Sequence, residues 1–223
     1  MCATAIPNLV AYWRADGDAT DSSGSNNGTL EGAAHFSAGI SGQAFDLDGV
    51  GAYVSVANTP SMDFGSGDFS ISLWVNFRTL AGETTLIQKA IGTYPADQTY
   101  SVEAFPDSVR FIIHDTTGRQ NDYYAPKVLS IGRFHHVAAT RTGGKVAVYV
   151  DGDLIGSQDS AAVIDTGQGG TATLGRLAPE AGAAFDRFLN GLLDEVRLYS
   201  RTLTADEVRQ LYSEVGLPAC AGG

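Results

Sequence analysis

Asp194 to Tyr212 reads DEVRLYSRTLTADEVRQLY. Two carboxylates stand in front of an alternating run, and LLDEVRLYS as a whole has the period of two that marks a strand. A turn follows, and then the period changes. In TADEVRQLY, Thr204 is placed to cap the amide of Glu207 while Glu207 reaches back, which is a capping box. Val208, Leu211 and Val215 then share one apolar stripe. A short helix with a single apolar face, directly after the last strand, is expected to plug one end of a β-structure. Asp194 and Glu195 are neighbours in a strand, so their side chains are expected on opposite faces.

Working back along the chain, the same alternation recurs. In FSISLWVNF, Phe69, Ile71, Leu73, Val75 and Phe77 face one way and Ser70, Ser72, Trp74 and Asn76 the other. VRFIIHD, FHHVAATR and TATLGRL read as further strands. KVAVYVDGDLIGS is a hairpin turning at Asp151-Gly152, because a two-residue turn there needs positive φ. SGSNNG, GVG, GSGD, TGG and TGQGG separate the strands. Glycine is abundant at 27 residues while charged residues make up 17 %, which suits many short strands and tight turns. No repeat, low-complexity tract or internal linker breaks the 223 residues, so residues 1–223 are read as a single domain. The fold class is all-β: a two-sheet antiparallel jelly-roll sandwich with one short C-terminal helix.

The formal net charge of -11 disfavours nucleic acid and anionic lipid as partners. No run of about 18 apolar residues is present to span a membrane. Met1 runs straight into CATAIPN without a legible secretory leader, which fits a chain starting near a natural cleavage point. Cys2 and Cys220 stand at opposite ends and are not spaced as metal ligands. Three states stay open for them: a terminal disulfide in an oxidising compartment, two thiols, or Cys2 as a lipid-modified first residue.

Five segments, in order, carry a resemblance: LVAYWRADGDATDSSGSNNGTL, GQAFDLDGVGAYVSV, FSISLWVNF, FHHVAATRTGGKVAVYVDGDLIGS and LNGLLDEVRLYSRTLTADEVRQLY. Together they resemble the laminin G-like, concanavalin A-like lectin/glucanase jelly-roll family of secreted bacterial proteins. Phe134 stands where that family often has tryptophan, and residues 82–127 match it least. The resemblance implies two curved sheets, neighbouring termini, and a secreted or cell-surface module of bacterial type that binds glycans or proteins. It also implies a neighbouring catalytic domain in a longer parent protein, and a calcium ion near the paired termini.

Calcium takes six to eight oxygen ligands from carboxylates, carbonyls and water. The loop ADGDATDSSG concentrates Asp16, Asp18 and Asp21 but lacks the EF-hand spacing, since Asp21 stands where that loop requires glycine. The resemblance implies that pairing of the first and last strands brings Asp194 to this loop. Asp16, Asp21 and Asp194 are therefore the expected calcium ligands, with Asp21 also suited to hold the loop through its amides.

Glycoside hydrolysis needs two carboxyl groups flanking one bond. Asp194 and Glu195, on opposite faces, do not qualify, and the alternating acidic strand motif of related glucanases is missing. Asp46 and Asp48 share a strand face but run at once into a turn. His135 and His136 lie in a strand where the family has histidine without catalysis. His114, Arg119 and Tyr124 are the residues to carry a lyase reaction, should the chain be an enzyme.

Sugars are bound by aromatic rings ringed with planar polar groups. Tyr94, Tyr100, Arg119, Asn121, Tyr123 and Tyr124 supply that mixture, TTGRQNDYYAP being read as a loop with two aromatics. Phe105 and His114 belong to the same stretch. The expected function is a secreted carbohydrate-binding module with a structural calcium ion and a polysaccharide or glycan partner. A polysaccharide-cleaving lyase or hydrolase of the same fold and a protein-adhesion module are the alternatives.

Overall fold

The computed structural model describes residues 4–91, 98–115, 117, 119–159, 164–167, 169–177, 187–215 and 217. Tyr94, Cys2 and Cys220 lie outside these residues. Fifteen strands and one helix follow in chain order: β1 (Leu9–Trp13), β2 (Gly28–Glu31), β3 (His35–Ala38), β4 (Gln43–Asp48), β5 (Tyr53–Val56), β6 (Phe69–Phe77), β7 (Thr84–Ala90), β8 (Gln98–Ala104), β9 (Ser108–His114), β10 (Gln120–Pro126), β11 (Phe134–Thr142), β12 (Lys145–Val150), β13 (Asp153–Asp159), β14 (Thr171–Leu174), β15 (Asn190–Tyr199) and α1 (Ala205–Ser213).

Among the described residues they form two antiparallel sheets. The first runs β13-β12-β11-β6-β15-β4-β3, with β1 also on β15; the second runs β10-β9-β8-β7-β14-β5-β2. The core lies between them. Phe69, Ile71, Leu73, Val75 and Phe77 all enter it, as their alternation requires, and meet Tyr100, Val102 and Phe111 from the second sheet. Each such side chain, fully buried, contributes about 1.5–3 kcal/mol. The expected two-sheet sandwich with one helix is therefore observed. The Asp151-Gly152 turn has φ of 51° and 84°, the left-handed pair that matches the twist of a hairpin.

Helix α1 is capped as read: Thr204 accepts from the Glu207 amide and Glu207 returns to the Thr204 amide. Its position differs from the expectation. It does not plug an end of the sandwich but lies on the outer face of the first sheet. Val208 there joins a second apolar cluster with Ala138, Ala147, Tyr149, Tyr199 and Leu203. Tyr212 stacks on Trp74 at 5.5 Å, which explains why a tryptophan pointing away from the main core is 4 % exposed.

Strand β15 places the C-terminal carboxylates. Along one edge it pairs first with β4 (Asn190 to Leu193) and then with β1 (Val196 to Tyr199). At the change of partner its register with β6 shifts between Asp194 and Arg197, and Glu195 adopts φ 52°. This is a β-bulge. Leu193, Val196 and Leu198 all enter the core, so two residues stand between the first pair instead of one. Asp194 and Glu195 consequently both point away from the core, correcting the expectation that they face opposite ways.

Candidate functional site

The gap left where β15 changes partner is filled by the turn between β3 and β4. Asp194 Oδ2 accepts from the Ile40 and Ser41 amides at 2.9 and 3.2 Å. Asp16, just past the end of β1, accepts from the Gln43 amide at 2.9 Å through Oδ1, and its Oδ2 meets Arg14 at 3.1 Å. Both carboxylates thus grip one turn from two sides. Gly39 and Gly42 are required there: a Cβ on either would collide with Asp194 or Asp16 respectively. Ala15, beside Asp16, also holds positive φ, at 59°, where a Cβ is strained.

Asp194 is buried, and its Oδ1 has no hydrogen-bond partner among the described residues. Burial pushes its carboxyl up to about 7 against the pull of the Ser41 amide, and the neighbouring Glu195 charge adds to the rise. A desolvated carboxylate oxygen without a donor suits a cation. Asp194 and Asp16 both reach the same turn through backbone amides, and carboxylate oxygens are the ligand type that calcium takes. No three His, Cys, Asp or Glu side chains converge as a metal set among the described residues.

Asp21 does not belong to this group. Its Oδ1 accepts from Tyr12 N, Ser23 N and Ser23 Oγ, and its Oδ2 from Asn26 N and Nδ2. Burial would raise its carboxyl, but those donors outweigh burial and hold it below the usual range. With its lone pairs spent on amides, Asp21 holds the loop and is removed from the expected metal set. Asp48 does the same for the β4–β5 turn, accepting from the amides of Val50, Gly51 and Ala52.

The second candidate region is the outer face of the second sheet. TTGRQNDYYAP is not a loop; its residues from Gln120 onward form β10, paired to β9. Alternation therefore splits its side chains. Tyr124 stays half-exposed on the outer face, its ring 5.0 Å from the Arg110 guanidinium and 5.6 Å from Phe105. Tyr123 packs against the core, with its hydroxyl end at Gly156 of β13. Asn121 is buried and accepts from Gln158 at 2.9 Å. Tyr100 is wholly buried against Phe64 and Phe69. Tyr100, Asn121 and Tyr123 are thus core or edge residues, not a ligand surface. Of the expected set, Tyr124 and Arg119 are the exposed members among the described residues.

Beneath Tyr124 lies a network of charges. Arg110 binds Glu103 at 3.1 Å, Glu83 at 3.3 Å and Asp122 at 2.7 Å, and Asp122 meets His114 Nε2 at 2.8 Å. Burial, with Glu83 nearby, raises the Glu103 carboxyl to about 8. Burial would raise Asp122 too, but His114 and Arg110 hold it below the usual range. Glu103 is fully buried, so no substrate atom reaches it. The network fixes Arg110, and Arg110 backs the Tyr124 ring.

His114, Arg119 and Tyr124 are not brought to one point. Tyr124 sits opposite Arg110, four residues along β9 from His114, or about 13 Å at strand spacing. Arg119 lies in the hairpin turn, 3.8 Å from Asp115. The trio proposed for lyase chemistry is therefore unassembled.

One chain of contacts has the order of a nucleophile, base and acid: Ser130 Oγ to His135 Nε2 at 3.0 Å and His135 Nδ1 to Asp151 at 2.9 Å. The same Nε2 also accepts the Ser130 amide at 3.0 Å, and Arg133 touches both ring nitrogens. That arrangement clamps the loop before β11. His136 is buried in the first sheet, where burial drives it down to about 3 and its Nε2 meets Ser72 at 2.9 Å.

Two groups escaped the reading of the sequence. Tyr12, Glu195 and Arg197 form a cluster on the β1–β15 seam. Tyr53 and Phe188 flank Arg176, whose guanidinium lies 4.7 and 5.0 Å from their rings. Both are assembled from distant segments. The outward position of Tyr53 beside inward Val54 was the available signal for the second.

The chain matches the family model described as the concanavalin A-like lectin/glucanases superfamily over residues 48–209. No curated protein sequence matches it. Among solved structures it resembles the binding domain of Paraclostridial Mosquitocidal Protein 1, at 20 % identity and a TM-score of 0.74, covering 92 % of this chain and 52 % of that one. The chain thus spans about half the length of that toxin domain. It likewise resembles domain 4 of an extracellular arabinanase from Geobacillus stearothermophilus, solved with arabinotriose, at 22 % identity and 0.72, covering 96 % and 100 %. The receptor-binding domain of a botulinum neurotoxin C/D mosaic matches at 16 % and 0.71, over 93 % and 51 %. With this fold and a family match over most of its length, the chain belongs to the laminin G-like members of the concanavalin A-like lectin/glucanases superfamily.

Proposed function

We propose that this chain is a secreted, non-catalytic module that binds a glycan on the outer face of its second sheet and carries a calcium ion at Asp16 and Asp194. The observation that carries the glycan reading is Tyr124. The residue is 49 % exposed on a strand and backed by an arginine that Glu83, Glu103 and Asp122 hold in place. An immobilised aromatic face with polar groups beside it is how proteins bind the apolar face of a sugar ring. Arg119, exposed on the turn at the far end of β10 and about 16 Å from Tyr124 at strand spacing, supplies a planar donor for a longer chain lying along the strand. The resemblance to an arabinanase domain solved with arabinotriose supports a polysaccharide as the partner class. It also supports a neighbouring catalytic domain in a longer parent.

The calcium reading rests on the unpartnered Oδ1 of Asp194. A bound calcium would supply positive charge to two carboxylates that already converge on one turn. Asp194 and Asp16 would hold it, and the turn after β3 would be fixed by it. The test is incubation with a panel of plant and algal polysaccharides, with calcium or with chelator, reading both retention and new reducing or unsaturated ends. Retention without new ends is expected. New ends would overturn the non-catalytic reading, and lack of retention on every polysaccharide would overturn the glycan reading.

A further inference from the structure

The bulge that turns Glu195 outward also builds a cavity. On the seam between β1 and β15, Tyr12 lies opposite Arg197. Tyr12 Oη donates to Glu195 Oε2 at 2.6 Å, the Arg197 guanidinium pairs with the same carboxylate, and that guanidinium covers the Tyr12 ring at 4.1 Å. This trio lies at one end of a partly open cavity of about 460 Å³ that the N-terminal segment and α1 also line. Ile6, Leu9 and Leu211 are among its apolar walls. The volume falls within the usual range for small-molecule sites, which is roughly 300–1,000 Å³.

Glu195 is 2 % exposed, and its Oε1 has no hydrogen-bond partner among the described residues. A buried carboxylate oxygen is costly to leave without a donor, and the residue carrying it lines the cavity. The occupant it calls for has a hydrogen-bond donor at one end. Charge narrows the class. The Glu195 charge is already matched by Arg197, and Arg14 at the rim by Asp16. An anion would face the open lone pair of Glu195 and the Glu214 carboxylate, while a cation seated at Glu195 would face Arg197. The Tyr12 ring already has Arg197 at 4.1 Å and Arg14 at 5.8 Å from its centroid, so guanidinium groups occupy the space a stacked sugar would need. The remaining walls mix aliphatic side chains with Thr4, Gln210 and Glu214, and the Glu214 carboxylate accepts from the Thr4 amide at 3.3 Å and Gln210 Nε2 at 2.9 Å.

We propose that this cavity is a second binding site, independent of the Tyr124 face, for a small uncharged amphiphile: an aliphatic body headed by a hydroxyl that donates to Glu195 Oε1. The hydroxyl of the ligand supplies the missing donor, and its body replaces water against Leu9, Ile6 and Leu211.

Three probes with one body and different heads test this on the whole chain: cyclohexanol, cyclohexylammonium and cyclohexanecarboxylate, each titrated against ¹⁵N-labelled protein. Cyclohexanol is expected to shift the amides of β15 and α1 saturably, and to bind at least tenfold tighter than either charged probe. Leu211→Trp, which fills the apolar end, should abolish that binding while leaving the rest of the amide spectrum in place. Should Leu211→Trp fail to fold, the ranking of the three probes on the unmodified chain still decides. No saturable shift with cyclohexanol, a charged probe binding as tightly, or full binding retained by folded Leu211→Trp would each overturn the proposal.

Discussion

Replacing Asp194 by asparagine should make the metal-free protein relatively more stable as pH rises, although a buried residue with two amide contacts is being altered. The reason is the sign of its titration. Asp194 ionises at about 7 in the folded chain against 3.8 ordinarily. A carboxyl raised in this way contributes stability that is whole below pH 3.8 and lost as pH climbs through about 7. The difference of about three units corresponds to roughly 4 kcal/mol, at about 1.4 kcal/mol per unit. At pH 5 only the first part of that loss, about 1.5–2 kcal/mol, has occurred. Asparagine keeps an oxygen for the Ile40 and Ser41 amides but adds an amino group that needs a partner, at a cost of about 1–3 kcal/mol. That cost does not vary with pH and cancels when two pH values are compared. Thermal unfolding in chelator should therefore show Asp194→Asn gaining on the wild type by about 2–3 kcal/mol between pH 5 and pH 8. For a chain of this size that is on the order of 5–10 °C in Tm. Calcium should reverse the order at pH 8, stabilising the wild type and leaving the variant unmoved. A pH-independent difference would refute the desolvation argument, and equal calcium stabilisation of both proteins would refute the assignment of Asp194 as a ligand.

Lys89 is fully buried and paired with Asp63 and the Gly169 carbonyl. Asp63→Ala should cost about 3–5 kcal/mol by urea unfolding, because it strands a buried charge; a cost under 1 kcal/mol would show that Lys89 is neutral or hydrated. Thr204→Ala removes the cap of α1 and should cost about 1 kcal/mol, with a fall in Tm of about 2–4 °C. His136 is held down at about 3 by burial, so its contribution is present above its ordinary 6.5 and is lost as pH falls from 6.5 towards 3. His136→Gln should accordingly recover on the wild type by about 1.4 kcal/mol for each pH unit below 6 in urea unfolding, and parallel curves would argue that His136 is not desolvated.

The layered core was legible because the pattern of Phe69 to Phe77 is unbroken, and because Asp151-Gly152 and the Thr204–Glu207 box are local devices with short-range causes. The bulge at Glu195 was missed by counting twos. Its trace is nonetheless in the chain, since the core residues Leu193, Val196 and Leu198 are spaced three and then two apart. The helix lies on a sheet face because outward Trp74, Tyr149 and Tyr199, each from a different strand, together make an apolar patch that needs cover. β10 has the composition of a loop, although its alternation separates Tyr124 and Asp122 from Tyr123 and Asn121. Convergence of Asp16 and Asp194 was expected through the family resemblance alone, and that of Glu83, Glu103 and Asp122 on Arg110 was not expected, because both depend on strand order. No local pattern encodes that.

The most direct test of the central claim is isothermal titration of the wild type and of Tyr124→Ala with the polysaccharide best retained in the panel, in calcium. The account predicts measurable binding by the wild type and at least a tenfold loss in Tyr124→Ala, with the unfolding curve unchanged because the ring is half-exposed. Undiminished affinity in Tyr124→Ala would contradict it and remove the outer face of the second sheet as the glycan site.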